Sequence, residues 1–198
     1  MKDHPDRHVL EGLRSAESGA FEAAFRDVYA SHRSVVYGFL RRLSGDSDTA
    51  ADLFQNVWLK LARHRRRLSE DTDLRAWLCT VARREYLSYR RAQTLDLGRL
   101  LTFGREPSEA SAGTLGDPRL HEINAALQRL ADGDREVLLL TSVDGLSMRQ
   151  AAAVLAISEP ALRQRLLRAR RRLTTAVRKQ SASQNRRSWF GVTKKEQT

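Results

Sequence analysis

A single cysteine, Cys79, stands in a chain of 198 residues, inside the apolar run WLCTVA. That excludes an intramolecular disulfide and a multi-cysteine zinc site, and the thiol reads as a small core residue. Apolar runs are short: none approaches the roughly 18 residues of a membrane span, and the N-terminal MKDHPDRH is too polar for a secretory signal. Neither membrane insertion nor export is expected, which places the chain in the cytoplasm. The histidines, His4, His8, His32, His64 and His121, show no metal-ligand spacing, and no P-loop, H-E-x-x-H or nucleophile motif is present. No cofactor and no catalytic chemistry are expected. Strand signals are missing as well, since no segment alternates apolar and polar residues.

What is present is helical periodicity. Apolar residues recur at helical spacing in four groups: Phe21, Phe25, Val28; Val35, Val36, Phe39, Leu40, Leu43; Leu53, Phe54, Val57, Trp58, Leu61; and Leu74, Trp77, Leu78, Val81. Four helices are predicted, with Gly45 as a C-terminal stop and Asp46-Ser47-Asp48 as the next N-cap. Residues 93–118 hold two of the four prolines and four of the eleven glycines, the mark of a linker. Periodicity resumes at Ile123, Ala126, Leu127 and Leu130 and continues through Val137 to Leu140. The expected organisation is all-α: an N-terminal segment 1–19, a four-helix domain 20–92, a flexible linker 93–118, a second small helical domain 119–178, and a basic tail 179–198. The tail is read as disordered apart from Trp189-Phe190, a candidate partner anchor.

Charge is as uneven as hydropathy. Residues 1–158 carry 23 Lys/Arg against 22 Asp/Glu, whereas residues 159–198 carry 12 against 2, so a net charge of +11 divides into +1 and +10. The excess begins at the second of two short helical patterns, SMRQAAAVL and SEPALRQRLLRARRRL, which meet at Ala156-Ile157-Ser158. This is a helix-turn-helix with a basic second helix. Ser147 and Gln150 fit a capping box, and Ser158 caps the next helix with Glu159 near its positive dipole end. At 100° per residue Leu162, Leu166, Ala169 and Leu173 share one face, opposite Gln164, Leu167, Arg168 and Arg171. One face packs and the other suits a major groove, with Arg163, Arg165, Arg170 and Arg172 on the flanks. Base edges fall to Glu159, Arg163, Gln164 and Arg168 in the first turns; Arg170 to Arg172 supply phosphate contacts or solvated charge, hence affinity without sequence information.

Three stretches in order, AADLFQNVWLKL at 51–62, WLCTVARREYLSYRR at 77–91 and the segment from Leu130 to Leu173, give the chain a resemblance to bacterial RNA polymerase sigma factors of the extracytoplasmic-function type. The resemblance implies a four-helix region 2 and a helix-turn-helix region 4, and a transcription initiation factor that reads the minus-ten and minus-thirty-five promoter elements and assists opening. Its partners would be core RNA polymerase, promoter DNA and an anti-sigma factor. The family's D-x-x-Q motif, here Asp52 to Gln55, implies that Asp52, Gln55 and Asn56 dock on the polymerase, with Leu53, Val57 and Leu61 packed inside. The basic segment His64, Arg65, Arg66 and Arg67, followed by the polar residues 69–73, is where such factors capture an unstacked minus-ten base. Unstacking costs free energy, so a fitted pocket and backbone charge are needed to offset it.

Arg83, Arg84, Tyr89, Arg90 and Arg91 would face the duplex edge of the minus-ten element, whereas Trp77 reads as core and Trp58 as core or interface. In region 4 the implied DNA contacts are Ser158, Glu159, Arg163, Gln164, Arg165, Arg168 and Arg171. The chain departs from the family pattern at Arg84 and Ser88, commonly Asn and Asp, so the minus-ten sequence is not carried over. Leu130-Ala131, Gln150-Ala151-Ala152 and Leu155-Ala156 also depart from it, and Ala156 leaves less backbone freedom at the turn than glycine. The alternative is a dimeric helix-turn-helix repressor or activator with residues 20–92 as a sensing or dimerisation domain. It leaves the basic segment 60–67 and the arginines of 83–91 without a role.

Overall fold

Helices form where the apolar spacing demands them, but they are cut differently from the pattern. The computed structural model describes the backbone of residues 6–102, 118–143 and 145–192, and the side chains of 6–95, 123–142 and 145–179. Among these residues there are eight α-helices and no strand. The first two predicted helices are one, α2 (Ser18–Ser44), because the polar stretch 31–34 contains neither glycine nor proline and lies on a helix surface. The fourth helix of the first half is instead α1 (Arg7–Arg14), within the segment expected only to precede the domain. Leu10 and Leu13 anchor it with no exposure, and Gly12 permits its approach, since a Cβ there would lie 2.7 Å from that of Ala24.

α2 ends at Gly45, whose left-handed φ of 80° suits glycine and whose N–H bonds to Arg41 O at 3.1 Å. α3 (Ser47–His64) starts as predicted: the Asp46 carboxylate accepts from the Thr49 amide at 2.7 Å. A single 3-10 turn, Arg65–Arg67, follows, and then α4 (Leu74–Thr102), capped by Asp73 through the Ala76 amide at 2.9 Å. α4 therefore runs ten residues into the stretch from 93 expected to be linker; residues 103–117 lie outside the described residues.

The second half contains α5 (Pro118–Gln128), α6 (Asp132–Leu138) extended by a π turn (Leu139–Val143), α7 (Met148–Leu155) and α8 (Glu159–Val192). α8 continues through much of the tail expected to be disordered, there being no glycine or proline between Ala161 and Gly191. The side chains of Trp189 and Phe190 lie outside the described residues.

The halves share one interior: Leu127, Leu130 and Val137 to Leu140 belong to the same buried cluster as Val36, Leu40, Leu43 and Leu78. Their junction is polar at its centre. Arg135, only 5% exposed, donates Nε to Leu127 O (2.9 Å), Nη1 to Leu43 O (2.7 Å) and Nη2 to Gln128 O (2.9 Å) and Leu130 O (3.1 Å). These carbonyls lie at the ends of α2 and α5, where the helix leaves acceptors unpaired and the dipole is negative. Beside it, Gln128 Nε2 donates to Arg42 O at 2.7 Å. One guanidinium thus finishes two helices from different halves.

Two outcomes test this account. Asp46→Ala should lower stability by about 1 kcal/mol in urea denaturation at neutral pH. The Thr49 amide and hydroxyl hold the Asp46 carboxyl below its ordinary 3.8, so its contribution is present above that value and lost as the pH falls through the lower, folded one. The gap between parent and variant should therefore close in acid. Arg135→Ala, which removes a donor from four carbonyls, should cost about 3–5 kcal/mol, the scale of breaking a buried charge interaction; a loss within experimental error would show that the junction does not rest on this residue.

Candidate nucleic-acid and partner interfaces

The helix-turn-helix is built as its caps require. Ser147 Oγ accepts from the Gln150 amide at 3.2 Å, while Gln150 Oε1 accepts from the Ser147 amide at 2.7 Å, so both halves of the capping box form. α7 closes with Ala156 in the left-handed region (φ 54°, ψ 45°), and the Ile157 amide reaches back to Ala152 O at 3.0 Å. The turn thus forms without glycine, held by the six-to-one bond of a Schellman cap. Leu162, Leu166 and Ala169 are buried, as their shared face predicts, and Leu173 packs partly against them.

The opposite face of α8 is open. Gln164, Arg165, Arg168 and Arg171 are exposed, and Leu167 among them is 53% exposed. Ser158 is spent on the helix start, its Oγ accepting from the Ala161 amide at 3.4 Å. Glu159 and Arg163, both expected to meet bases, pair with each other at 3.1 Å. Arg172 is engaged by Asp134 on α6 and is less free for phosphate than its place in the arginine run suggests.

On α3 the residues Asp52, Gln55 and Asn56 are all exposed, whereas Leu53, Val57 and Leu61 are buried. Beside them runs an apolar groove of about 300 Å³, lined by Phe25, Tyr29, Phe54, Gln55, Trp58 and Leu59. Its rings pack as a cluster: Tyr29 to Trp58 at 4.8 Å between centroids, Phe54 to Trp58 at 5.7 Å and Phe25 to Trp58 at 5.9 Å. Leu59, 45% exposed, and Tyr37 extend the apolar rim. The sequence offered a signal for Leu59, since two residues after Val57 it must leave the buried face.

The basic segment after α3 is not uniform. His64, Arg66 and Arg67 are exposed, but Arg65 turns inward, its guanidinium 4.1 Å from the Phe21 ring centroid and its Nη1 bonded to Ala62 O at 3.4 Å. Arg65 therefore serves packing rather than an open cationic surface. The following turn is closed by Thr72 N to Ser69 O (3.1 Å) and by a hydroxyl contact between Ser69 and Thr72 (3.1 Å).

Along α4 the five candidates divide. Arg84 and Arg91 are exposed, and Tyr89 is half-buried, its hydroxyl accepting from Thr49 Oγ1 at 3.3 Å. Arg83 instead bonds Glu136 Oε2 at 3.0 Å, and Arg90 lies 3.6 Å from Asp132, where Tyr86 also donates at 3.4 Å. Burial pushes the Glu136 carboxyl above its ordinary range, against the pull of Arg83. Gln150 of α7 also bonds Asp73 at the start of α4. Two of the arginines read as facing DNA are thus engaged by acids of the second half. No periodicity could reveal this, because the partners are 42 and 53 residues away. Trp58 is buried and Trp77 packs against the core, as expected. Among the described residues no helix is long and apolar enough to cross a membrane, and no three potential metal ligands are grouped.

Comparison with known proteins follows the same division. Residues 28–95 match the family described as sigma-70 region 2, and residues 120–173 the family described as sigma-70, region 4. The chain is 33% identical over 160 residues to the RNA polymerase sigma factor CarQ of Myxococcus xanthus, covering 79% of this chain and 88% of that protein. It is 30% identical over 162 residues to the ECF RNA polymerase sigma factor SigL of Mycobacterium tuberculosis H37Rv, covering 77% and 88%. Among solved structures it resembles the sigma factor RpoE from Bartonella quintana, in complex with the anti-sigma factor NepR, with a TM-score of 0.67 and 25% identity over 77% of this chain and 98% of that one. CnrH in complex with the cytosolic domain of CnrY gives a TM-score of 0.64 at 25% identity, covering 86% and 95%.

Proposed function

The chain belongs to the extracytoplasmic-function group of the sigma-70 family, making it an alternative sigma factor, and we propose from that premise how its surfaces divide the work of initiation. The α3 face of Asp52, Gln55 and Asn56, with the aromatic groove beside it, docks on core RNA polymerase. The turn at 68–73 takes an unstacked minus-ten base, with His64, Arg66 and Arg67 neutralising nearby phosphates and Arg83, Arg84, Tyr89, Arg90 and Arg91 following the duplex edge. α8 enters the major groove at the minus-thirty-five element, where Arg163 and Gln164 reach base edges and Ser158, Arg165, Arg168 and Arg171 meet the backbone or neighbouring edges.

The observation supporting this reading is the pairing in one chain of two solvent-facing surfaces of opposite character. The α3 face sets one carboxylate, Asp52, and two amides beside an apolar groove; the α8 face is a row of arginines. Phosphate neutralisation by such a row gives salt-dependent affinity, and base contacts by its first turns add sequence preference. The pair Glu159–Arg163 opens when Arg163 turns to a guanine.

The two elements lie roughly 25 base pairs apart, about 85 Å of duplex at 3.4 Å per step. α8, at 34 residues, is about 51 Å long, so helices packed side by side cannot span that distance. Promoter reading therefore separates α6 from α4 and exchanges the Glu136 and Asp132 contacts of Arg83 and Arg90 for phosphates. No covalent chemistry is assigned to the chain. It acts in the cytoplasm, and an anti-sigma protein is its expected partner, as the anti-sigma factor NepR is in the complex with RpoE. The dimeric repressor reading leaves the matches to regions 2 and 4 without an explanation.

Run-off transcription with core polymerase on a promoter library tests the reading: promoter-specific transcripts are expected, and absence of both core binding and initiation would sink it. Asp52→Ala combined with Gln55→Ala should weaken core binding about tenfold or more while leaving the unfolding midpoint in place. Arg163→Ala should cost about 1–3 kcal/mol of preference at one upstream position, whereas Arg171→Ala should weaken all sequences alike and flatten the salt slope by about one unit.

A further inference from the structure

α1 precedes the stretch that matches region 2, which begins at residue 28, and packs beside the basic turn Arg65–Arg67. Its polar edge bonds the turn that follows, the segment between those residues and α4. Arg14 donates to Leu68 O at 3.5 Å and to Glu70 Oε1 at 3.3 Å, and Arg7 donates to Glu70 Oε2 at 3.1 Å. At the far end, the carboxylate of Asp6, next to α1, accepts from the Leu74 amide at 3.2 Å. The turn is thus held at its first residue, at its middle and at the first amide of the helix beyond it. The two oxygens of Glu70 are each taken by a different arginine.

The element doing the holding is itself fixed. Leu10 and Leu13 are fully buried, and Gly12 brings α1 against Ala24 of α2. Within the turn, Ser69 and Thr72 bond each other, and Asp71 is left as an exposed acid. Bridging by Arg7 and Arg14 holds the Glu70 carboxyl below its ordinary range, so it remains ionised and paired at neutral pH. A free turn would have to be ordered when a base arrives, and that entropy would be subtracted from affinity. A turn already ordered presents its hydroxyls and backbone groups in one geometry, which is what discrimination among bases requires.

We propose that Asp6, Arg7 and Arg14 are positioning residues for the minus-ten reading turn, so that selectivity for the captured base is set in part by α1 acting through the turn. The proposal rests on the reading that residues 68–73 take an unstacked base. It assigns the two arginines to shaping the turn, not to phosphate binding.

The test uses the full chain assembled with core polymerase and single-stranded minus-ten oligonucleotides carrying each of the four bases at each position. Affinities are measured by fluorescence anisotropy, with a minus-thirty-five duplex as control. At one position the parent should prefer a base by about tenfold, the scale of one mismatched base in a specific site. Arg7→Ala with Arg14→Ala should reduce that preference to roughly twofold, leaving preferences elsewhere and duplex binding unchanged. Glu70→Gln, which leaves α1 intact, should reproduce the loss, and Arg7→Lys with Arg14→Lys should retain most of the preference. Amide exchange over residues 68–74 should quicken in the alanine and glutamine variants, with α2 and α3 unaffected. If the parent shows a base preference and these variants keep it, the positioning role is overturned and the turn reading stands. An even loss for all bases would show simple charge removal and would also overturn it. If the parent prefers no base anywhere, the turn reading itself falls, and the positioning role with it.

Discussion

The arrangement depends on how the last carbonyls of α2 and α5 are satisfied. A helix leaves its final acceptors without intrahelical partners, and burying such an end is costly unless something donates to it. Here the Arg41, Arg42 and Leu43 carbonyls meet the Gly45 amide, Gln128 and Arg135 in turn. Arg135 spends the rest of its guanidinium on the end of α5, and Asp132 stands 3.6 Å from it as counter-charge. With those donors in place, the apolar residues of both halves close into one interior. Without them, the junction would enclose bare acceptors.

Electrostatics gives that junction a second character. Region 2 offers arginines along α4, and α6 offers Asp132 and Glu136, so the halves meet through the kind of charge contact that a phosphate backbone can replace. Glu136 is 3% exposed and one of its oxygens has no partner. Its pairing is therefore less favourable than that of a fully bonded carboxylate. In this packed arrangement the apolar part of the interface holds the halves together, while the charged part is the side on which, under the proposed function, nucleic acid competes.

The sequence made legible whatever is local. Asp46 and the Ser147–Gln150 box form the caps that their spacing announced, and Leu162, Leu166 and Ala169 are buried as a 100° period requires. The exposure of Asp52, Gln55 and Asn56 follows from the same period. Boundaries were harder: a polar stretch on a helix surface resembles a loop, which divided α2, and a proline-poor polar tail resembles disorder, which concealed the C-terminal part of α8, residues 179–192. α1 was missed because Leu10 and Leu13 are too few to establish a period. The pairs Arg83–Glu136 and Arg7–Glu70 were out of reach for a different reason. An arginine looks alike whether it awaits a phosphate or a carboxylate 53 or 63 residues away.

Gly45 ends α2, but its missing side chain has another tenant. The amide group of Gln128 lies within 2.9 Å of where a Cβ at residue 45 would stand, and from there it reaches Arg42 O. The stop signal of one helix is therefore also the socket for a residue of the other half, 83 positions later in the chain. A substitution there would spoil a turn and unseat a distant side chain in the same stroke, so a defect of backbone geometry at one residue is felt as a fault in assembly.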